Sequence, residues 1–181
     1  MNIEQFLNEL IDREGGYVNN PADRGGATKY GITEAVARQH GYKGHMKDLP
    51  EPLARDIYRK TYWTSPRFDQ IKLISPLVAE ELLDTGVNCG VGFAKPTLQR
   101  ALNLLNNQGK GGWSDLAVDG IYGPATLNAL KTYLAKRGKD GEKTLLKVLN
   151  ILQGNRYIEI AERNPSQEQF FFGWISNRVV I

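Results

Sequence analysis

The chain holds 181 residues, 41% hydrophobic and 24% charged, with a net charge of +3. That is an ordinary globular composition, with room for one domain or two small ones and enough length to bury a core without disulfides or a structural metal. It excludes collagen-like and low-complexity classes, and no apolar run reaches the ~18 residues of a membrane span. Stable membrane insertion is not expected. Glu4 and Glu9 precede the first basic residue, Arg13, which is not the pattern of a signal peptide.

Residues 2–13 are predicted as an amphipathic helix. Ile3, Phe6, Leu7, Leu10 and Ile11 recur at helical spacing, and Asn2 with Gln5 suits a capping box. Gly15-Gly16 is expected to end it. Tyr17 to Thr33 has no helical period and reads as a short hairpin, with turns at Asn19-Asn20-Pro21 and Asp23-Arg24-Gly25-Gly26. Thr33 is an N-cap for a helix over 34–40. Pro50 and Pro52 open a helix over 51–62, and Ser75-Pro76 opens another through about Val87. Further helices are expected over 94–106, 125–136, 141–163 and 166–178, with a Gly-rich loop at 107–123. The fold class expected is mainly α, with one small β-hairpin beside the first helix.

Several features carry little chemistry. Cys89 is the single cysteine, so no intrachain disulfide forms, and it reads as a small buried hydrophobe. His40 and His45 lie five apart in a Gly-rich stretch without a Cys or carboxylate cluster, a poor metal site. No metal and no cofactor are expected. Phe170, Phe171 and Phe172 read as packing residues.

Charge is uneven. Residues 1–90 carry a net −2 and residues 91–181 a net +5. The basic half suits an anionic partner such as cell wall, lipopolysaccharide, membrane surface or nucleic acid. The basic residues are dispersed rather than gathered on one helix, so nucleic acid is the weakest of these.

The stretch from Glu14 to Thr33 is the most informative. A carboxylic acid ends a helix, a Gly-rich hairpin follows, and Asp23 lies nine positions on. Glu14 sits at the negative end of a helix dipole, which disfavours its ionised form, and Tyr17 or Tyr30 would desolvate it further. Asp23 sits in a polar turn beside Arg24, which favours its ionised form. A protonated acid facing an ionised carboxylate is what glycosidic cleavage needs. Each feature also has a plainer reading, as a solvated helix end and as a turn. Tyr17, Tyr30 and Trp63 are candidates to stack on sugar faces, and Asn19 and Arg24 to contact substrate.

The run EGGYVNNPADRGGATKYGIT resembles the signature of glycoside hydrolase family 108, lysozyme-like muramidases common among phage endolysins. The resemblance implies a lysozyme-like helical fold and places the catalytic acid on Glu14. The order of acid, hairpin, Asp and Thr is similar to the Glu/Asp/Thr triad of phage-type lysozymes. Eight residues separate Glu from Asp there, as they do Glu14 from Asp23. Five separate Asp from Thr there, against four between Asp23 and Thr28, and Thr33 competes for the third role. In the C-terminal half, Val118-Asp119-Gly120 through Thr126 is similar to the turn of peptidoglycan-binding modules. Residues 88–103 and 172–178 fit the predicted peptidoglycan domain that usually follows this hydrolase.

The resemblance thus implies a catalytic region over 1–91 and a helical peptidoglycan-binding region over 92–181, packed into one globule. The expected partner is bacterial peptidoglycan and the expected state a monomer. The expected activity is hydrolysis of the β-1,4 bond between N-acetylmuramic acid and N-acetylglucosamine, as an antimicrobial endolysin. Such a protein accumulates in the host cytoplasm and reaches the wall from a holin-type lesion. The rivals are a lytic transglycosylase, which needs the acid but no water-activating Asp, and a non-catalytic wall-binding protein.

Overall fold

The computed structural model describes residues 2–18 and 27–179. The fold is mainly α, as expected, with eight α-helices and a small antiparallel sheet among the described residues. The chain forms two compact units, Met1–Thr64 and Ser65–Ile181.

The first unit opens with α1 (Ile3–Glu14). Asn2 and Gln5 cap it reciprocally, as their spacing predicts, and its apolar stripe from Ile3 to Ile11 is buried. β1 (Tyr17–Val18), β2 (Thr28–Lys29) and β3 (Ile32–Thr33) form a sheet in the order β1-β2-β3. The hairpin expected over Tyr17–Thr33 is therefore three-stranded. The turns expected at Asn19-Asn20-Pro21 and Asp23–Gly26 lie outside the described residues. The β2–β3 connection is Tyr30-Gly31, and Lys29 pairs with Ile32 directly across it. Both turn residues have positive φ, 53° and 70°, as a two-residue type I′ hairpin requires.

Thr33 ends the sheet and caps α2 (Glu34–Gln39), its Oγ1 accepting from the Val36 N–H. α3 (Glu51–Arg59) runs into a π-helical turn, Lys60–Thr64. Ile11, Ile32, Ala37, Met46, Leu49, Ala54 and Ile57 form the core of this unit.

The second unit begins with α4 (Phe68–Lys72) and α5 (Pro76–Cys89), the latter capped by Ser75. Only Gly90, at φ 91°, separates α5 from α6 (Val91–Leu105), where the sequence suggests a loop over 88–93. A glycine at positive φ turns the chain in one residue, so both helices extend to meet it. α7 (Pro124–Arg163) merges the two helices expected over 125–136 and 141–163, with a break at Gly138. α8 (Glu168–Arg178) follows. The regions expected over 1–91 and 92–181 and the compact units divide the chain at different places. α4 and α5 pack with one another, and α5 packs with α6 and α7.

One packing expectation is corrected. Phe172 is 83% exposed, whereas Phe170, 49% exposed, sets its ring 6.0 Å from that of Trp174. On α8 the inward position belongs to Trp174, whose ring stacks on Tyr157 at 5.1 Å, and Phe172 falls on the opposite face. No helix among the described residues is long and apolar enough to cross a membrane.

Candidate active site

Glu14 is the last residue of α1, and its side chain remains 41% exposed. Its Oε1 accepts from Arg13 Nε at 3.2 Å. The tight β2–β3 turn abuts it: a Cβ on Gly31 would lie 3.4 Å from both Cβ and Cγ of Glu14. That same atom would stand 2.6 Å from Tyr58 Oη, so only glycine lets the turn settle between the acid and the phenol. Tyr58 Oη donates to the Tyr30 carbonyl at 2.7 Å and ties α3 to the turn. Burial, and next the charge of Glu14, push the Tyr58 phenol up to about 12, so it stays protonated at neutral pH.

Tyr58 and Tyr62 stack at 6.3 Å, and Phe6 meets Tyr62 edge-on at 5.4 Å. Arg55 donates to Asn8 and Arg59 to Glu4, so α1 and α3 are joined along their length. These contacts hold α1 against α3, and Glu14 is the residue on which α1 ends.

The aromatic neighbour of Glu14 is thus Tyr58, which the sequence reading missed. Its signal is the Tyr58/Tyr62 pair, one turn apart on the helix expected over 51–62. Tyr17 packs against the core and lies 6.2 Å from the His45 ring. Tyr30 holds the turn, half-buried, with Lys29 Nζ 5.0 Å from its ring centroid. Thr28 and Thr33 are cross-strand partners on one face of the sheet, and Thr28 also pairs with Val18. The Thr33 hydroxyl is committed to its cap, which leaves Thr28 the less encumbered of the two. Trp63 is 6% exposed, a correction to its reading as a sugar platform: the π-helical turn after α3 rotates the indole inward. Asp23, Arg24 and Asn19 lie outside the described residues.

His45 Nδ1 accepts from the Lys47 N–H, capping a short 3-10 turn. No His/Cys/Asp/Glu cluster able to hold a metal occurs among the described residues.

In the second unit, three amide side chains one turn apart on α6 hold the loop that follows it. Gln99 Oε1 accepts from Gly120 N–H at 2.7 Å, while its Nε2 donates to Asp119 Oδ1 at 2.9 Å. Asn103 pairs with both the N–H and the carbonyl of Leu116, each at 2.8 Å. Asn106 donates to the Trp113 carbonyl and to Asp115. The Ile121 N–H and the Gln99 amide hold the Asp119 carboxyl below the usual carboxylate range. Tyr122, fully buried, donates to the Lys95 carbonyl. The Val118-Asp119-Gly120 turn is therefore a folded clasp whose polar groups are used internally.

Residues 7–90 match the family described as glycosyl hydrolase 108. Residues 94–179 match the family described as predicted peptidoglycan domain. Glu14, the sheet and Tyr58 all fall inside the hydrolase match, and the clasp on α6 falls inside the second. Among solved structures, the chain is similar to SagA of Brucella abortus. The two share 25% identity and a TM-score of 0.55, over 96% of this chain and 87% of that one. No curated protein matches it.

Proposed function

We propose that this protein is a family-108 hydrolase and a muramidase. It cleaves the β-1,4 bond between N-acetylmuramic acid and N-acetylglucosamine in peptidoglycan. The observation that carries this reading is Glu14. Inside the hydrolase match, a half-exposed carboxyl closes α1 against a glycine-only turn and the protonated Tyr58. Glu14 protonates the departing glycosidic oxygen. Asp23 positions or activates water, and Thr28 assists. Inversion is expected, with the two carboxyls about 6.5–9.5 Å apart in the working complex. The protein acts as a monomeric endolysin, made in the host cytoplasm and released to the wall through a holin-type lesion.

The deciding experiment is mass spectrometry of soluble fragments from purified sacculi. Reducing-end muramic acid supports hydrolysis. Fragments ending in 1,6-anhydromuramic acid replace this reading with a lytic transglycosylase, and intact sacculi would leave a wall-binding protein. Asp23→Ala belongs in the same assay: it should lose most activity, and near-wild-type turnover would reduce Asp23 to a turn residue.

A further inference from the structure

The break in α7 leaves a second concave surface, which the catalytic reading does not use. Gly138 lies at φ 57° and ψ −147°, a conformation that side-chain-bearing residues avoid. Tyr133 Oη donates across the break to the Gly141 carbonyl at 2.8 Å. Two adjoining hollows of about 270 and 370 Å³ result, sharing Leu105, Tyr133, Lys136 and Arg137. The 370 Å³ hollow falls within the ~300–1,000 Å³ usual for ligand sites, and the 270 Å³ hollow beside it holds Trp113 and Lys110.

The lining has a definite chemistry. Trp113 meets Tyr133 edge-to-face at 6.1 Å and forms an aromatic floor. Trp113 Nε1 is buried without a hydrogen-bond partner, although a buried indole N–H ordinarily has one. Lys110, Lys136 and Arg137 surround this floor. Lys136 reaches over the loop, where a Cβ on Gly112 would lie 2.4 Å from its Nζ. None of these three cations forms an ion pair among the described residues. Asp140 lines only the far hollow.

An aromatic floor suits a sugar ring, and clustered unpaired cations suit carboxylates. We propose that this groove binds the peptidoglycan strand by its carboxylates, with Lys110, Lys136 and Arg137 engaging the stem peptide and Trp113 facing a sugar. This deepens the muramidase reading and rests on it. The acid at Glu14 and the groove are then separate sites for one polymer.

The test uses the full chain carrying Glu14→Gln, which prevents turnover. A disaccharide-tetrapeptide fragment of peptidoglycan and its carboxyl-amidated counterpart are titrated by calorimetry and tryptophan fluorescence. The acidic fragment should bind more tightly than the amidated one, and less tightly as salt rises. Lys136→Glu with Arg137→Glu should weaken it by about tenfold or more. Lys110→Glu, in the loop and outside any helix, should act in the same direction. Equal binding of the two fragments, indifference to all three substitutions, or tighter binding of a single-stranded oligonucleotide overturns the proposal. Digestion of sacculi by the wild-type chain is measured in parallel. Digestion without charge-dependent binding removes only the groove, whereas absence of digestion removes the muramidase reading.

Discussion

At Glu14 a proton and a shape can be separated. Glu14→Gln keeps the size of the side chain and removes its acidity, so turbidity clearance of outer-membrane-stripped cells should fall by ~10²–10⁴. Thermal unfolding should be nearly unchanged, because the side chain is 41% exposed and its ion pair to Arg13 is on the surface. Gly31→Ala should lower both activity and thermal stability. The new methyl meets Tyr58 Oη and crowds Glu14, at a φ that side chains avoid. Tyr58→Phe relieves nothing there but removes the donor to the Tyr30 carbonyl, at a cost of about 0.5–1.5 kcal/mol in denaturant unfolding. At this scale the sequence was legible where chemistry is local. The caps Asn2, Thr33 and Ser75 were readable because each acts within three residues of itself. Tyr58 beside Glu14 was not, because 44 positions separate them and no local spacing reports the contact. Trp63 was misread because the π-helical turn changes which face the indole occupies.

Among the elements, helices with strong caps and clear stripes were legible, and α1 and α5 start where their caps place them. α4 was not, being five residues long with no repeat to detect. The Gly90 hinge is tighter than the gap expected between helices ending near Val87 and starting at 94, because one glycine at positive φ suffices for the turn. The loop after α6 depends on side chains of α6 itself. Gln99→Ala should therefore unfold the chain more readily by about 1–3 kcal/mol, since the buried Gly120 N–H loses its acceptor. Chemical denaturation with tryptophan fluorescence would register this, because Trp113 lies in the loop that the same α6 face secures.

At the scale of the whole molecule, the half-buried acid Glu81 should make stability depend on pH. Burial, followed by the charge of Asp84, raises the Glu81 carboxyl to about 7, against 4.5 for an unperturbed group. The folded state therefore holds its proton more firmly than the unfolded state. The stability this contributes is complete below about 4.5 and is lost as pH rises through about 7. Glu81→Gln should flatten the melting temperature across that window, and an unchanged slope would assign the pH response elsewhere. Nothing in the sequence marked Glu81, because Glu80 beside it has the same local pattern and only the packing of the second unit distinguishes the two.

Asp84 also accepts from Gln153 at 2.8 Å and from Arg178, 94 positions away in the chain. During synthesis the carboxylate of α5 emerges long before either partner. Until α8 leaves the ribosome, the second unit holds a half-buried charge with no cation to meet it, and Tyr157 lacks the Trp174 ring that covers it. Completion of this unit is thus deferred until α8 is translated. Nascent chains arrested before α8 is exposed should be cleaved readily in the second unit by added protease, and chains arrested after it should resist.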